Sequence, residues 1–275
     1  MPALRDFFKP QLKQEPRPDP VTHPMAARYV RAYLWMRLGV GALGVVLPIV
    51  LVVVDKIAFH GYPFFRDSMS GYYYSGMREW FVGTIFASGA FFLAYKVSEA
   101  SLDNTASIAA GICAWVIALC PTGRPSIHDH PKPPVPPLNS LQDLISEAWT
   151  SRIHYAASAG FIVCLGVVVV LVGIREGRLP PAPRKLPPWF WRWFHYGCAF
   201  LMGVGGVWIA VTAHSGIRVS TLVGEWICTW AWAVSWFLKG AERDMLFGRP
   251  VTERRARVPS SNGLRASDEP QPDGE

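Results

Sequence analysis

The sequence predicts an all-helical, polytopic membrane bundle with six transmembrane helices and one interfacial helix. Three observations carry that prediction. Hydrophobic residues make up 51% of the 275 residues and charged residues only 17%, against roughly 25% charged in a typical soluble domain. Six apolar stretches of a length suited to a roughly 30 Å hydrocarbon core are separated by polar, basic or proline-rich connections. The chain also carries 12 Trp and 15 Phe, and aromatic side chains gather at bilayer interfaces.

Residues 1–31 hold prolines 10, 16, 18, 20 and 24 among charges and read as a disordered tail. Its start, Leu4–Phe8, is amphipathic enough to lie on lipid, and the absence of an apolar run excludes a signal peptide here. The first span is 32–54. Its one internal charge, Arg37, sits a turn inside and is expected to snorkel to the headgroups. Gly39, Gly41 and Gly44 allow a neighbouring helix to come close, and Pro48 invites a kink. The second span is 79–97 and the third 104–120, with Asp103, Asn104 or Thr105 as candidate caps and Pro121 as the stop.

The proline-rich run after Arg124 excludes a helix or a central strand. Apolar residues then fall at 138, 141, 144, 145 and 149, which is helical spacing and predicts an interfacial helix. The fourth span is 153–173. Its Val167–Val170 run suits a strand in water, but in lipid the backbone must pair within its own segment, so it is expected to be helical. Trp189, Trp191 and Trp193 mark an interface, and His195 beside them reads as interfacial too. The fifth span is 193–214 and the sixth 222–238. The charged tail 239–275 is expected to be disordered.

Six spans put both tails on one side. Nineteen basic residues fall on that side and seven on the other, so the positive-inside rule assigns both termini to the cytoplasm of a bacterial inner membrane. The net charge of +7 is spread over tails and loops, without the basic, aromatic-interleaved pattern of a nucleic-acid module. The expected partner is therefore the lipid bilayer and not nucleic acid. The cysteines at 113, 120, 164, 198 and 228 have no C-x-x-C spacing and read as packing residues.

The stretch RDSMSGYYYSGMRE (66–79) concentrates polar groups between two apolar spans, and such groups near a membrane are where function is sought. A polar vestibule on the outer face is expected from Asp67, Ser68, Ser70, Tyr72, Tyr73, Arg78, Glu79, His154, His214 and Glu225. His154 opens span four, His214 closes span five, and Glu79 and Glu225 open spans two and six. The topology thus brings two imidazoles and two carboxylates to a similar depth. That set suits a divalent ion such as zinc, able to acidify a bound water in a membrane-embedded hydrolase. The competing reading, given more weight, is structural: Arg66, Arg78, Arg152 and Arg218 are available to pair with Asp67, Glu79, Glu147 and Glu225. No cofactor is needed then, and the vestibule binds a lipid or small ligand. The tyrosine run serves equally as an interfacial anchor, and Ser68 and Ser70 as helix caps. His128 and His130 sit in the proline-rich loop, a poor platform for a site. The span centres are nearly free of charge, which argues against an ion-coupled carrier.

The pieces DSMSGYYYS (67–75), RE-x-FVG (78–83), AYK (94–96), ALCPT (118–122), His154, and Glu225 followed by SWFLKG (235–240) occur in order. Together they resemble a family of bacterial multi-pass membrane proteins with no established activity. The resemblance covers most of 35–240. Members of that family carry His-Thr after the tyrosine pair, where this chain has Tyr74-Ser75, which removes one potential imidazole. The serine, aspartate and histidine content is also similar to that of the ceramidase-type and progestin-receptor-type membrane hydrolases. Their paired histidines in the last helix are missing here.

Overall fold

A computed structural model of the chain describes residues 24–61, 64–94, 102–125, 137–176, 188–212 and 219–241. Among these residues there are helices and no strand: α1 (Pro24–Ala58), α2 (Arg78–Ala94), α3 (Leu102–Leu119), the short α4 (Ser140–Ile145), α5 (Glu147–Glu176), α6 (Pro188–Thr212) and α7 (Ser220–Ala241). A single 3-10 turn, Ser70–Tyr74, precedes α2. The Val167–Val170 run is helical, inside α5. Four segments, Trp35–Ala58 in α1, α3, α5 and Trp189–Thr212 in α6, are long and apolar enough to cross a membrane. They mark the chain as a membrane protein.

The six long helices form a ring. α1 packs on α7, α7 on α6, α6 on α5, α5 on α3, and α3 on α2. The sixth contact, between α2 and α1, is far sparser than the others. The α1–α7 seam is close for a reason visible in the sequence. A Cβ on Gly41 would lie 2.9 Å from the Cα of Phe237, and one on Gly44 2.8 Å from the Cβ of Ala233. Only glycine lets the two backbones approach that far.

Several elements differ from the sequence reading. α1 begins at Pro24, inside the stretch assigned to a disordered tail, and continues past residue 54 to Ala58. Proline suits a first helical turn because its missing N–H has no intrahelical partner there. The expected interfacial helix over 138–149 is broken at Ser146, whose φ of 77° ends α4, and α5 begins at once with Glu147. Asp103 is no cap. It lies within the first turn of α3, fully buried, and forms an ion pair with Arg175 from the far end of α5. Arg37 does not snorkel: it is buried, with its guanidinium 4.3 Å from the ring centroid of Trp236. His195, expected beside the interfacial tryptophans, faces inward. It is wholly buried, with Nδ1 2.8 Å from the Ser235 hydroxyl on α7.

The expected span limits 79–97 and 193–214 run into residues 95–101 and 213–218, which lie outside the described set, as do the tails 1–23 and 242–275.

Candidate functional site: a capped cavity inside the helix ring

The segment between α1 and α2 is folded into a cap over one end of the ring. Arg66 donates to the Asp55 carboxylate at 3.3 Å, and both groups are buried. The Ser68 hydroxyl accepts from the Gly71 N–H at 3.0 Å and so starts the 3-10 turn. The turn ends at Ser75, whose hydroxyl donates to the Tyr72 carbonyl and accepts from the Met77 N–H. Two bonds then tie the cap to the start of α7. The Leu222 N–H donates to the Asp67 carbonyl at 2.9 Å, and the Met69 N–H donates to Glu225 Oε2 at 2.5 Å.

The tyrosine run is part of the core and not a surface anchor. Tyr72 and Tyr73 are buried among Leu47, Leu51, Met77 and Phe81. The Tyr73 hydroxyl accepts from Arg78 at 2.6 Å and from the Asn139 amide at 3.0 Å. The Tyr74 hydroxyl donates to the Thr122 carbonyl at 2.5 Å and accepts from the Gln142 amide at 2.8 Å. Burial pushes the Tyr74 phenol up to about 12 and raises that of Tyr72 as well. Asn139 and Gln142 are themselves locked as a capping box on α4: the Gln142 N–H donates to Asn139 Oδ1 at 2.7 Å and the Asn139 N–H to Gln142 Oε1 at 3.1 Å. The cap is therefore knitted to the segment after α3, to α4 and to α7 by bonds whose side-chain partners are largely buried, which strengthens each bond.

Beneath the cap lies a cavity of about 100 Å³. Its walls are mostly apolar, with Leu47, Phe81, Ile85, Phe161 and Trp232 among them. Its polar groups are few: Ser70 from the cap, Thr84 and Ser88 from α2, His154 and Ser158 from α5, and Glu225 and Thr229 from α7. His154 is 1% exposed. Its Nδ1 lies 2.7 Å from the Cys120 carbonyl. A carbonyl only accepts, so Nδ1 carries the proton, and in the neutral ring Nε2 then presents a bare lone pair. Nε2 has no hydrogen-bond partner. Glu225 uses Oε2 for the Met69 N–H, and among the described residues it has no other partner and no ion pair.

Of the residues singled out in the sequence, the structure brings Ser70, His154 and Glu225 to this cavity. Asp67, Ser68, Tyr72, Tyr73 and Arg78 build the cap above it. Glu79 is exposed and does not line the cavity. His214, His128 and His130 lie outside the described residues. Among the described residues no three His, Cys, Asp or Glu side chains gather closely enough to hold a metal ion. Two of these residues form ion pairs with other partners, and two arginines make ring contacts instead. Arg66 takes Asp55, Glu147 takes Arg124 at 2.9 Å, Arg78 stacks on Tyr73, and Arg152 lies over Trp149. Arg218 is outside the described residues. The Arg124 guanidinium beside Glu147 sits in an open loop segment and holds its proton above its ordinary value through that contact.

The sequence reading missed Asp55, Thr84, Ser88, Ser158 and Thr229. The first looked like a span terminus. The others are small hydroxyls, which are too common in membrane helices to signal a site. The Asn139–Gln142 box was legible as an N-x-x-Q pattern before an apolar pair. Comparison with family models, curated proteins and solved structures finds no match to this chain.

Proposed function

We propose that this chain is a six-span protein of a bacterial inner membrane, with both termini cytoplasmic, and that the capped cavity binds a lipid or small ligand. The observation that carries the reading is His154 Nε2. It is a buried acceptor without a partner, on a side chain that lines a mostly apolar cavity. A buried polar atom left unsatisfied costs about 1–3 kcal/mol, so a site that keeps one is explained most simply by a ligand that satisfies it. Apolar walls with a few converging polar groups are the ordinary make-up of a ligand pocket.

The experiment is extraction of the purified protein and mass spectrometry of what is released. A species held by the wild type is expected to be lost from Ser158→Trp, which fills the cavity from α5. Identical extracts from both proteins would remove the reading. Reporter fusions at the two termini test the topology, and periplasmic signal from either one would overturn it.

A second reading rests on the same imidazole. Metal-ligating histidines usually donate their other ring N–H to a carbonyl or carboxylate, as His154 does to Cys120. Two protein ligands, His154 and Glu225, would then face the cavity and hold a divalent ion such as zinc in a hydrolase. Elemental analysis of wild type and His154→Ala separates this reading from the first.

A further inference from the structure

The ring of helices has one thin place, and the cavity lies against it. α1 contributes Leu43, Gly44 and Leu47 to the lining, and α2 contributes Phe81, Thr84, Ile85 and Ser88. These are the two helices whose mutual contact is sparse. Leu43 is exposed, and Thr84 and Ile85 are half-exposed. Among the described residues, the end of the cavity toward the cap is crossed by bonded chain. There the cap is fastened through Arg66–Asp55, Met69–Glu225 and Leu222–Asp67 and by the Tyr73 and Tyr74 bonds to α4 and to the segment after α3. A ligand therefore reaches this cavity sideways, between α1 and α2, along a face that meets lipid.

Size narrows the ligand further. From His154 to Leu165 along α5 the lining runs for eleven residues, about 16 Å at 1.5 Å per residue, which is half of a roughly 30 Å hydrocarbon core. The enclosed volume is about 100 Å³, less than the roughly 150 Å³ that accommodates a benzene ring. The enclosed part thus holds a polar head and a few carbons. A longer chain extends through the α1–α2 seam into one leaflet. The head must also match the polar groups that wait for it. His154 Nε2 accepts, while the Glu225 carboxyl and the hydroxyls of Ser70, Ser158 and Thr229 adapt to either role. An anionic head would find no Lys or Arg among the described lining residues to offset its charge, which disfavours it.

We infer that the ligand is a single-chain lipid with an uncharged or cationic hydrogen-bond-donating head, an alcohol or an amine, admitted laterally between α1 and α2. This rests on the ligand-binding reading above and fixes its chemistry and route.

The test is photolabelling of the full-length protein in lipid nanodiscs. Four probes share a sixteen-carbon chain and a diazirine placed near the head: a primary alcohol, a primary amine, a carboxylate and a methyl-terminated alkane. Labelled positions are read by peptide mass spectrometry. The alcohol and amine are expected to label peptides bearing Ser88, Ser158 or Thr229 about tenfold more than the carboxylate or alkane, the ratio for one charge-assisted hydrogen bond made or lost. Thr84→Phe and Ile85→Trp, which narrow the seam at half-exposed positions, are expected to reduce that labelling and leave labelling of the outer helix faces unchanged.

Equal labelling of the cavity by all four probes would overturn the head-group assignment and leave the ligand-binding reading standing. Undiminished cavity labelling in both seam variants would overturn the lateral route alone. Labelling confined to outer faces, together with identical extracts from wild type and Ser158→Trp, would end both. Two seam variants are used so that one failing to fold, seen by size-exclusion profile, leaves the other informative.

Discussion

Replacing Arg66 by methionine tests whether the cap is held by a buried charge pair. The Arg66 side chain is 10% exposed and that of Asp55 3%, with Nη2 to Oδ2 at 3.3 Å. The second Asp55 oxygen, Oδ1, is buried with no partner. Arg66→Met would leave an almost dry carboxylate with nothing to offset its charge, and breaking a buried pair from one side costs about 3–5 kcal/mol. For a protein of this size each kcal/mol moves the midpoint about 2–4 °C, so the expected fall is on the order of 10 °C in detergent, followed by tryptophan fluorescence. Replacing both partners at once, Asp55→Leu with Arg66→Met, removes the charge as well as its counter-ion. That double variant is expected within about 1.5 kcal/mol of wild type, because a well-packed apolar pair substitutes for a buried ion pair at little cost. A single Arg66→Met variant as stable as wild type would refute the argument. So would a double variant as unstable as the two single losses added together.

The remaining expectations concern the same framework. Glu225→Ala deprives the Met69 N–H of its acceptor, and hydrogen exchange at Met69 is expected to quicken about ten- to a hundredfold, whereas Glu225→Gln keeps an acceptor and leaves it nearly unchanged. Tyr74 has a phenol raised to about 12, above the ordinary value near 10. Its contribution is therefore fully present below pH 10 and is lost as the pH rises toward 12. Tyr74→Phe is expected to delete a late-titrating component of the phenolate absorbance and to cost about 1 kcal/mol at neutral pH, since the Gln142 amide and the Thr122 carbonyl are left with only their long 3.5 Å bond to each other. Gly41→Leu is expected to lower the thermal midpoint by several degrees, since α7 backbone occupies the space and overpacking costs about 1–3 kcal/mol. Gly39→Ala, with open space around its Cβ, is expected to be neutral or to stabilise by up to about 1 kcal/mol.

What the sequence revealed and what it hid divide along one physical line. Apolar length is written in a single stretch of chain, so the helices were legible, and the cysteines read correctly as free packing residues. Part of the grouping was legible too: His154 and Glu225 both line one cavity. Direction around each helix was not. Phe81, Ile85, Ser88 and Phe92 share one face of α2 at intervals of four, three and four. Glu79 stands two residues before Phe81, about 200° round the helix, and so points away at the very depth that made it attractive. The same gap explains Arg37 and His195. Both sit where snorkelling to an interface is open to them, and both turn inward because Trp236 and Ser235 of α7 wait on that side. Such partners lie 199 residues apart in one case and 40 in the other, beyond any local pattern. The hydrophobic runs fixed no pairing either. Asp55 closes the first apolar run and gave no hint that Arg66, across a short loop, folds back onto it.

The order of helices around the ring sets a constraint on assembly. α1 finds its closest neighbour in α7, the last of the described helices to be made, while α2, the next after α1, barely touches it. Some 160 residues separate the end of α1 from the start of α7, about ten to thirty seconds of synthesis at roughly 5–20 residues per second. Throughout that interval the glycine face at Gly41 and Gly44 has nothing of its own chain to rest on. A nascent bundle must wait open at this place, and any chain cut short before Ser220 would keep its first helix permanently unpartnered, a ready mark for membrane quality control.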